Sequence, residues 1–228
     1  MTTVEVLLLI CGGIIAYLLG SIPSSVWIGR IFFGKDVRQY GSGNAGATNT
    51  FRTFGWKAGV FVLVFDVFKG WMAVFISSLF TSDYFSSEQV INYEVICAAL
   101  AVVGHVYPIF AGFKGGKGVA TLVGIMIALL PWETATAVVI FIIVMLLSGY
   151  VSLSSIIAGI LFPVIVIFLP KIFLTLLPAA WSEIFFAFLI AVFIPITHLK
   201  NIKRLLKGTE KKLFSKNDKD GSMDFGGK

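Results

Sequence analysis

Seven long apolar runs, separated by short polar connections, constrain this chain more than any other feature of its sequence. The runs cover residues 4–28, 58–80, 93–112, 119–130, 134–147, 153–169 and 181–197. Because backbone groups in lipid must be satisfied within the protein, apolar runs of about 20 residues predict membrane-spanning helices. A content of 57% hydrophobic and 13% charged residues supports this prediction. We therefore expect an all-α integral membrane protein, a bundle of seven transmembrane helices.

The fourth and fifth runs are both shorter than a bilayer requires. They meet at Pro131-Trp132-Glu133, which can form either an outer turn or the tip of a re-entrant hairpin. In both cases the pair returns to the side on which it began. A single bundle of this kind accounts for the whole length of the chain, so a separate soluble domain does not fit. We predict a single transmembrane domain over residues 1–213 and a disordered polar tail over residues 214–228.

Basic residues are concentrated in alternate connections of this predicted bundle. Sixteen of the 18 Lys and Arg residues fall on one side, and only Lys69 and Lys171 fall elsewhere. The opposite connections carry the acidic residues Asp83, Glu88, Glu94, Glu133 and Glu183. The positive-inside rule then predicts an external N-terminus and a cytoplasmic C-terminus. We attribute the basic tail to orientation and contact with anionic membrane lipids, and we predict no nucleic acid partner.

The segment 41–52, Gly-Ser-Gly-Asn-Ala-Gly-Ala-Thr-Asn-Thr-Phe-Arg, does not have the composition of a membrane helix. Glycines let backbone N–H groups converge on an anion, hydroxyls and amides add donors, and Arg52 can fork onto a phosphate. Its glycines match G-x-G-x-x-G, but a dinucleotide site also needs a preceding strand. We interpret the segment as an anion-binding loop, the alternative being a tight turn. Its candidate residues are Ser42, Gly43, Asn44, Thr48, Asn49 and Arg52.

A second polar segment, residues 104–118, ends in Lys-Gly-Gly-Lys-Gly and is similar to a phosphate loop. It fails the Walker pattern, because Gly118 stands where Ser or Thr must bind Mg²⁺, so we predict no NTPase. Two ammonium groups, flexible glycine amides and a helix start at residue 119 still favour an anion. Orientation and headgroup contact are the alternative role for the lysines. The candidate residues are Lys114, Gly115, Gly116, Lys117 and Gly118.

Two further polar segments fall on the same predicted face. Residues 148–155 form a hydroxyl-rich turn that contains Ser152, and residues 198–210 follow the last run. His198 and Asn201 are three residues apart and share a helix face. The second histidine, His105, also lies at the predicted cytoplasmic edge.

Two opposite charges, Asp66 and Lys69, interrupt the second apolar run three residues apart. Each would cost about 2.5–3.5 kcal/mol if it were unpaired at the centre of a membrane helix. We expect them to neutralise each other and to face the interior of the bundle. They either position the helix or take part in the site.

The order and spacing of these segments resemble the bacterial acyl-phosphate-dependent glycerol-3-phosphate acyltransferase family, the PlsY type. The resemblance covers roughly residues 20–212. Its most specific parts are 41–49 with Arg52, 113–121, and His198-x-x-Asn201-Ile-x-Arg204 followed by Gly208-Thr-Glu210. Gly20-Ser-Ile-Pro23, Arg30 and Asp36-x-Arg38 also fit. One departure is Gly149, which occupies a position where a basic residue is expected.

This resemblance implies a seven-span enzyme of the bacterial cytoplasmic (inner) membrane with its site facing the cytoplasm. The implied reaction transfers a fatty acyl group from acyl phosphate to the sn-1 hydroxyl of glycerol 3-phosphate and forms lysophosphatidic acid. The resemblance assigns catalytic roles to Ser42, Arg52, His198 and Asn201. The residues and the resemblance together predict substrate binding by Gly43, Asn44, Thr48, Asn49, His105, Lys114, Gly115, Gly116, Lys117, Gly118, Ser152, Arg204 and Glu210.

An acyl phosphate is already activated, because its phosphate is a good leaving group. The enzyme then needs positioning, charge neutralisation and help for one hydroxyl nucleophile. The candidate residues suit that need without an acidic metal cluster, so we predict neither a metal nor a cofactor. His198 either acts as a general base or only binds phosphate, since a substrate phosphate can also accept the proton.

The acyl-CoA-dependent acyltransferases rely on His-x-x-x-x-Asp, and this pattern is absent. Phe110 stands five residues after His105, and Lys203 stands five residues after His198. Acyl phosphate is therefore the expected donor. A membrane transporter of an organic phosphate is the competing class, but transporters usually bind at the midplane between repeated halves. A lipid-binding scaffold would not require so many glycines beside donors. Acyl-chain preference and oligomeric state stay open.

Overall fold

The computed structural model describes residues 2–81, 85–169 and 180–213, and every regular element within these ranges is helical. The α-helices are α1 (Thr3–Gly20), α2 (Ser24–Phe33), α3 (Ala47–Phe54), α4 (Trp56–Leu79), α5 (Ser87–Val106), α6 (Val119–Leu129), α7 (Pro131–Ser148), α8 (Val151–Leu169), α9 (Trp181–Thr197) and α10 (Leu199–Leu206). Short 3₁₀ turns occupy Val37–Gln39 and Ile109–Ala111. Asp83, Lys171 and the predicted disordered tail, residues 214–228, lie outside the described residues.

Five of the described helices, α1, α4, α5, α7 and α8, are long and apolar enough to cross a membrane. The pair α9 and α10, bent by 59° at His198, makes a sixth if it forms one span. Helix α6 has 11 residues and is about 16 Å long at 1.5 Å per residue, well short of a bilayer. The all-helical membrane architecture and the short fourth run are confirmed. The count of seven spans stays a prediction.

Three of the predicted apolar runs differ from the helices of the structure. The third run, 93–112, forms α5 over Ser87–Val106, and its end lies in the 3₁₀ turn Ile109–Ala111. The first apolar run, expected as one helix over 4–28, is divided into α1 and α2 by Ser21–Pro23. Pro23 lacks an N–H and cannot continue α1. The fifth run begins at Pro131, a residue type favoured in the first turn of a helix, and not at residue 134. With 18 residues α7 is long enough to cross, so the prediction of a short fifth span is wrong.

Small residues bring the central helices into close contact. Helix α5 packs against α1, α4, α6 and α9, and its Cys97, Ala98 and Ala101 are completely buried. Between α4 and α6 the backbones nearly touch. A Cβ atom on Gly124 would lie 1.8 Å from the carbonyl oxygen of Val67. Small residues at helix contacts let membrane helices approach in this way, so these packed helices form the rigid base of the site.

A charged cluster is buried among α2, α4, α5 and α6. Lys69 Nζ lies 2.8 Å from Asp66 Oδ1, and the Ser24 hydroxyl donates to the same oxygen at 2.8 Å. The predicted neutralisation of Asp66 by Lys69 is thus confirmed. His105 Nδ1 lies 3.9 Å from Asp66 Oδ1 and 3.1 Å from the hydroxyl of Thr121. The buried cluster is defined as Ser24, Asp66, Lys69, His105 and Thr121.

Candidate active site

The four polar segments of the sequence meet at one end of the bundle, as predicted. Hydrogen bonds between residues that are far apart in the chain join these segments and the residues that flank them. The bonds run from Arg38 to the Lys114 carbonyl, from Arg52 to the Lys211 carbonyl, from Lys117 to Asn201 and from Ser152 to Glu210. The helix ends therefore assemble one surface from four separate connections.

The first segment is a turn followed by a helix, and not a loop throughout as its glycines suggested. Gly41 and Gly43 have φ angles of 61° and 72°, in the left-handed region that glycine adopts without steric cost. Helix α3 then begins at Ala47. Thr48 and Arg52 consequently lie on a helix, which orients Arg52 toward the chain that follows α10.

Asn49 holds this turn together from within. It is 1% exposed, its Nδ2 donates to the carbonyls of Val37 and Tyr40 (3.0 Å each), and its Oδ1 accepts the Ser42 N–H (2.8 Å). Because both polar atoms of the amide are bonded to backbone, Asn49 shapes the turn and does not face a substrate. The Ser42 side chain is exposed, and its hydroxyl bonds to no described residue.

The second segment doubles back onto the end of α5. The N–H groups of Gly115 and Gly116 donate to the carbonyls of Val106 (3.0 Å) and His105 (3.2 Å). A Cβ on Gly115 would lie 1.9 Å from the His105 carbonyl oxygen, so glycine is needed for close approach. The prediction that these two amides are free anion donors is therefore wrong. Gly118, with φ 79°, immediately precedes α6, whose first-turn amides have no acceptor within the helix.

His105 lies beneath this segment and not on the open surface. It is 6% exposed and belongs to the buried cluster. Its Nε2 would be 2.3 Å from a Cβ on Gly116, so the ring supports the turn from below. The structure does not bring His105, predicted to bind substrate, to the residues that surround Glu210.

Glu210 and four side chains around it form what we call the site network: Lys117, Ser152, Asn201, Arg204 and Glu210. Glu210 Oε1 accepts from Asn201 Nδ2 (2.6 Å) and from the Ser152 hydroxyl (2.9 Å), and Oε2 accepts from Arg204 Nε (2.6 Å). Lys117 Nζ donates to Asn201 Oδ1. The carboxylate thus orients an amide that in turn holds the lysine of the second segment.

Cations outnumber carboxylates in this part of the site. Burial lowers the pKa of Lys117 to about 8, with Glu210 opposing the shift and Arg204 and Arg52 adding to it. Burial also lowers the pKa of Arg52. Burial alone would raise the pKa of Glu210, but its hydrogen bonds from Arg204, Asn201 and Ser152 give a net lowering. One ionised carboxylate therefore faces three mutually repelling cations, an arrangement that attracts an anion.

Arg52 is held in place by a hydrogen bond, but not all of its N–H donors have an acceptor. Its Nη2 donates to the Lys211 carbonyl at 2.8 Å, while its Nε is buried and has no partner in the described part of the chain. A buried donor without a partner costs about 1–3 kcal/mol, which a bound oxyanion would recover. The half-buried guanidinium is therefore preorganised for a ligand.

His198 stands where α9 bends into α10. Its Nδ1 lies 2.8 Å from the Ile194 carbonyl, and because a carbonyl only accepts, Nδ1 carries the hydrogen. In the neutral ring the Nε2 lone pair is then available, with no partner among the described residues. Asn201 is three residues further along the chain, one helical turn away. This geometry suits either proton acceptance or binding to a hydroxyl.

Besides Ser42, three predicted residues have no described side-chain partners: the exposed Lys114 and the half-buried Asn44 and Thr48. The site also contains contacts that the sequence did not indicate. The Lys212 stem packs 3.1 Å from the position of a Cβ on Gly149, and its ammonium lies 5.5 Å from the Tyr150 ring centroid. Lys212 thereby supplies a cation beside the turn in which Gly149 replaces an expected basic residue.

Arg38 is a second residue whose contacts the sequence analysis missed. Its charge was attributed to orientation and Asp36-x-Arg38 to the family resemblance, although this spacing already allowed a local ion pair. In the structure Arg38 reaches the carbonyls of the second segment. Among the described residues, no three His, Cys, Asp or Glu side chains form a group that could hold a metal ion.

Comparison with known proteins identifies a family and its relatives. The family model described as glycerol-3-phosphate acyltransferase matches residues 10–208. The glycerol-3-phosphate acyltransferase of Enterococcus faecalis is 44% identical over 201 residues, 88% of this chain and 89% of that protein. That of Fusobacterium nucleatum is 43% identical over 204 residues, 89% of this chain and 96% of that protein.

Two crystal structures of PlsY (YgiH), an integral membrane glycerol 3-phosphate acyltransferase, have the same fold. The glycerol 3-phosphate form superposes with a TM-score of 0.78 at 36% identity, over 92% of this chain and 97% of that one. The lysophosphatidic acid form gives a TM-score of 0.73 at 35% identity, over 90% and 94% of the two chains.

Proposed function

The chain belongs to the glycerol-3-phosphate acyltransferase family, and we propose that it transfers a fatty acyl group from acyl phosphate to the sn-1 hydroxyl of glycerol 3-phosphate. The product is lysophosphatidic acid, in the first acylation of phospholipid biosynthesis. One observation supports this reaction above all: Arg52, Lys117 and Arg204 surround the single carboxylate of Glu210. Both substrates carry a phosphate, so both are attracted to this surplus of positive charge.

The proposed step exchanges one acyl–oxygen bond for another. The sn-1 oxygen bonds to the acyl carbon, the bond from that carbon to the phosphate oxygen breaks, and inorganic phosphate leaves. The hydroxyl proton goes to His198 Nε2 or to a phosphate oxygen. Cations that are already in place stabilise charge on the leaving phosphate without reorganisation at the moment of reaction.

The two substrates divide the site between the first and second segments. Arg52 and the exposed Ser42 bind glycerol 3-phosphate, while Lys114, Lys117 and the start of α6 bind the acyl phosphate. Since the amides of Gly115 and Gly116 are used within the protein, the two lysines and the helix N-terminus provide the attraction. The acyl chain lies along the apolar helices.

We propose seven spans with an external N-terminus in the bacterial cytoplasmic membrane. The concentration of basic residues near the site supports a cytoplasmic orientation, on the side where cations accumulate in membrane proteins. The competing role, transport of an organic phosphate, receives less support. The intramembrane pair Asp66–Lys69 is already neutral and bonded to Ser24, which suits a scaffold better than a transport site.

Purified protein in detergent, given palmitoyl phosphate and labelled glycerol 3-phosphate, tests this function. We expect labelled lysophosphatidic acid and release of inorganic phosphate. A parallel reaction with palmitoyl-CoA tests the donor. Product from the thioester alone would overturn the acyl-phosphate proposal, and no product from either donor would overturn the enzymatic one.

A His198→Ala variant separates the two roles of the imidazole. If Nε2 accepts the proton, kcat falls by about 10²–10⁴-fold, the range typical of general base catalysis. If His198 only binds substrate, kcat survives and only KM for glycerol 3-phosphate rises. Steady-state kinetics at saturating palmitoyl phosphate distinguish these outcomes.

A further inference from the structure

The turn that leads into the second segment contains a strained residue. Gly112 and Phe113 have consecutive left-handed φ angles of 64° and 58°, and Phe113 is the sole non-glycine residue with a positive φ in the described ranges. A bulky side chain is disfavoured there, because its Cβ approaches the following carbonyl. The Phe113 side chain is 57% exposed, so its own packing provides little compensation. Contacts from elsewhere must hold this backbone conformation.

Arg38 makes these contacts from the first connection. Its Nη1 donates to the carbonyls of Ala111 (2.8 Å) and Lys114 (3.1 Å). These two carbonyls flank Gly112 and Phe113, so one guanidinium group closes the turn on both sides of the strained residue. The amide of Phe113 donates to the Pro108 carbonyl at 2.9 Å and completes the turn.

Asp36 fixes the guanidinium itself. Arg38 Nε donates to Asp36 Oδ1 (3.0 Å) and Nη2 donates to Oδ2 (2.7 Å), a bidentate pair. The Arg38 backbone N–H also donates to Oδ1 at 3.0 Å. The Arg38 side chain is only 20% exposed. The guanidinium side chain thus donates to four oxygens, two of the carboxylate and two carbonyls, whereas a lysine ammonium has only three donors and no fork geometry.

We propose that Arg38 is a positioning residue, which closes the strained turn at Phe113 and thereby sets the second segment so that Lys117 reaches Asn201. We call the contacts of Arg38 with the Ala111 and Lys114 carbonyls the clamp. Directly after Lys114, the N–H groups of Gly115 and Gly116 donate to carbonyls of α5. Lys117 follows directly, so the clamp and the α5 contacts together determine where its ammonium lies. The kinetic consequence rests on the proposed function, in which this segment binds the phosphate of the acyl donor.

Arg38→Lys tests the clamp, with Arg30→Lys as the matched control. Arg30 also donates to Asp36 Oδ2 (2.9 Å) but is an exposed residue on α2. In Arg38→Lys we expect amide hydrogen exchange of the peptide covering residues 109–118 to accelerate by about tenfold or more. KM for palmitoyl phosphate should rise by a similar factor, with a smaller change in kcat. Arg30→Lys should stay within about twofold of wild type in both measurements.

Phe113→Gly tests the strain, because glycine adopts the left-handed conformation without the steric cost. Introduced into Arg38→Lys, it should restore at least half of the lost protection on a logarithmic scale. In the wild-type background the same change should also slow exchange, because the same strain is relieved there. No recovery of protection when Phe113→Gly is added to Arg38→Lys would show that strain at Phe113 is not what Arg38 works against.

Wild-type exchange and wild-type KM in Arg38→Lys would overturn the positioning role. If Arg38→Lys does not fold, Asp36→Asn provides the test, because it weakens the hold on the guanidinium while keeping the clamp residue. Hydrogen exchange does not depend on turnover. Faster exchange in a protein that makes no lysophosphatidic acid would therefore keep the clamp and reject the proposed function.

Discussion

The site network and the buried cluster contain similar residue types at the same end of the bundle, yet their charges are arranged differently. The buried cluster pairs one lysine with one aspartate, and the Ser24 hydroxyl adds a hydrogen bond. The site network, together with Arg52, places three cations around Glu210 alone. A balanced cluster needs nothing further, whereas a surplus of charge is stable only with a counter-ion or ligand. The imbalance is what distinguishes a binding surface from a scaffold here.

The two histidines illustrate the same difference. His105 has Thr121 and Asp66 beside Nδ1 and lies under the glycine turn. His198 has the Ile194 carbonyl (2.8 Å) and the Thr197 hydroxyl (3.3 Å) beside Nδ1, and its Nε2 has no partner among the described residues. Position along the chain placed both rings at the cytoplasmic edge, with His198 predicted to be catalytic and His105 predicted to bind substrate. Their hydrogen-bond partners assign His105 to the scaffold and leave His198 to the site.

The largest effect should come from breaking the balance of the buried cluster. Lys69→Met leaves the Asp66 carboxylate buried without its cation, at a cost of about 3–5 kcal/mol in stability. Thermal unfolding in detergent measures this loss. The double variant Asp66→Leu/Lys69→Met should recover most of it, because no unpaired charge remains. A stable but inactive Lys69→Met protein would instead move this pair into the active site.

Arg52→Lys should have the next largest effect, on activity and not on stability. A point charge cannot reproduce the fork that reaches both Lys211 and a phosphate, so about 1.5–3 kcal/mol of binding is lost. We expect kcat/KM for glycerol 3-phosphate to fall by about 10- to 150-fold with an unchanged unfolding temperature. Arg30→Lys is the control. Unchanged kinetics would show that Arg52 serves membrane orientation only.

The pH dependence of kcat/KM should report the charge of Lys117, one of the cations around Glu210. Burial lowers the pKa of Lys117 to about 8, so its positive charge is present below that pH and is lost as the pH rises through it. Since kcat/KM reports the free enzyme, it should fall about tenfold per pH unit above this value. Lys117→Arg keeps its charge and should remove this alkaline limb. An identical alkaline fall in kcat/KM in Lys117→Arg would show that another group titrates there.

The smallest effect on kcat/KM should come from removing one hydrogen bond of the site network. Ser152→Ala removes the hydroxyl that donates to Glu210 Oε1, while Asn201 and Arg204 still hold the carboxylate. We expect a loss of about 1 kcal/mol, or roughly fivefold in kcat/KM. Ser155→Ala is the matched control, since its hydroxyl bonds only the Val151 carbonyl of its own helix. Equal effects of the two variants would contradict a special role for Ser152.

The amino-acid sequence by itself determined the membrane class, most of the helices and the four polar segments of the site. These properties follow from local composition, because apolar length and clustered glycines need no knowledge of distant residues. The pairing of Asp66 with Lys69 was equally predictable, since both lie on one helix turn. The family could be recognised for the same reason, as its motifs are short and continuous.

Only the tertiary structure decided which polar groups are available to a ligand. The bonds that settle this join residues 84 positions apart in Lys117–Asn201 and 159 apart in Arg52–Lys211. Asn49 and the glycine amides had the composition of donors, but neighbouring carbonyls occupy them. A donor binds whichever acceptor the fold brings nearest, and that choice depends on helix packing. Local sequence can supply the donors, whereas the packed helices determine which of them remain free.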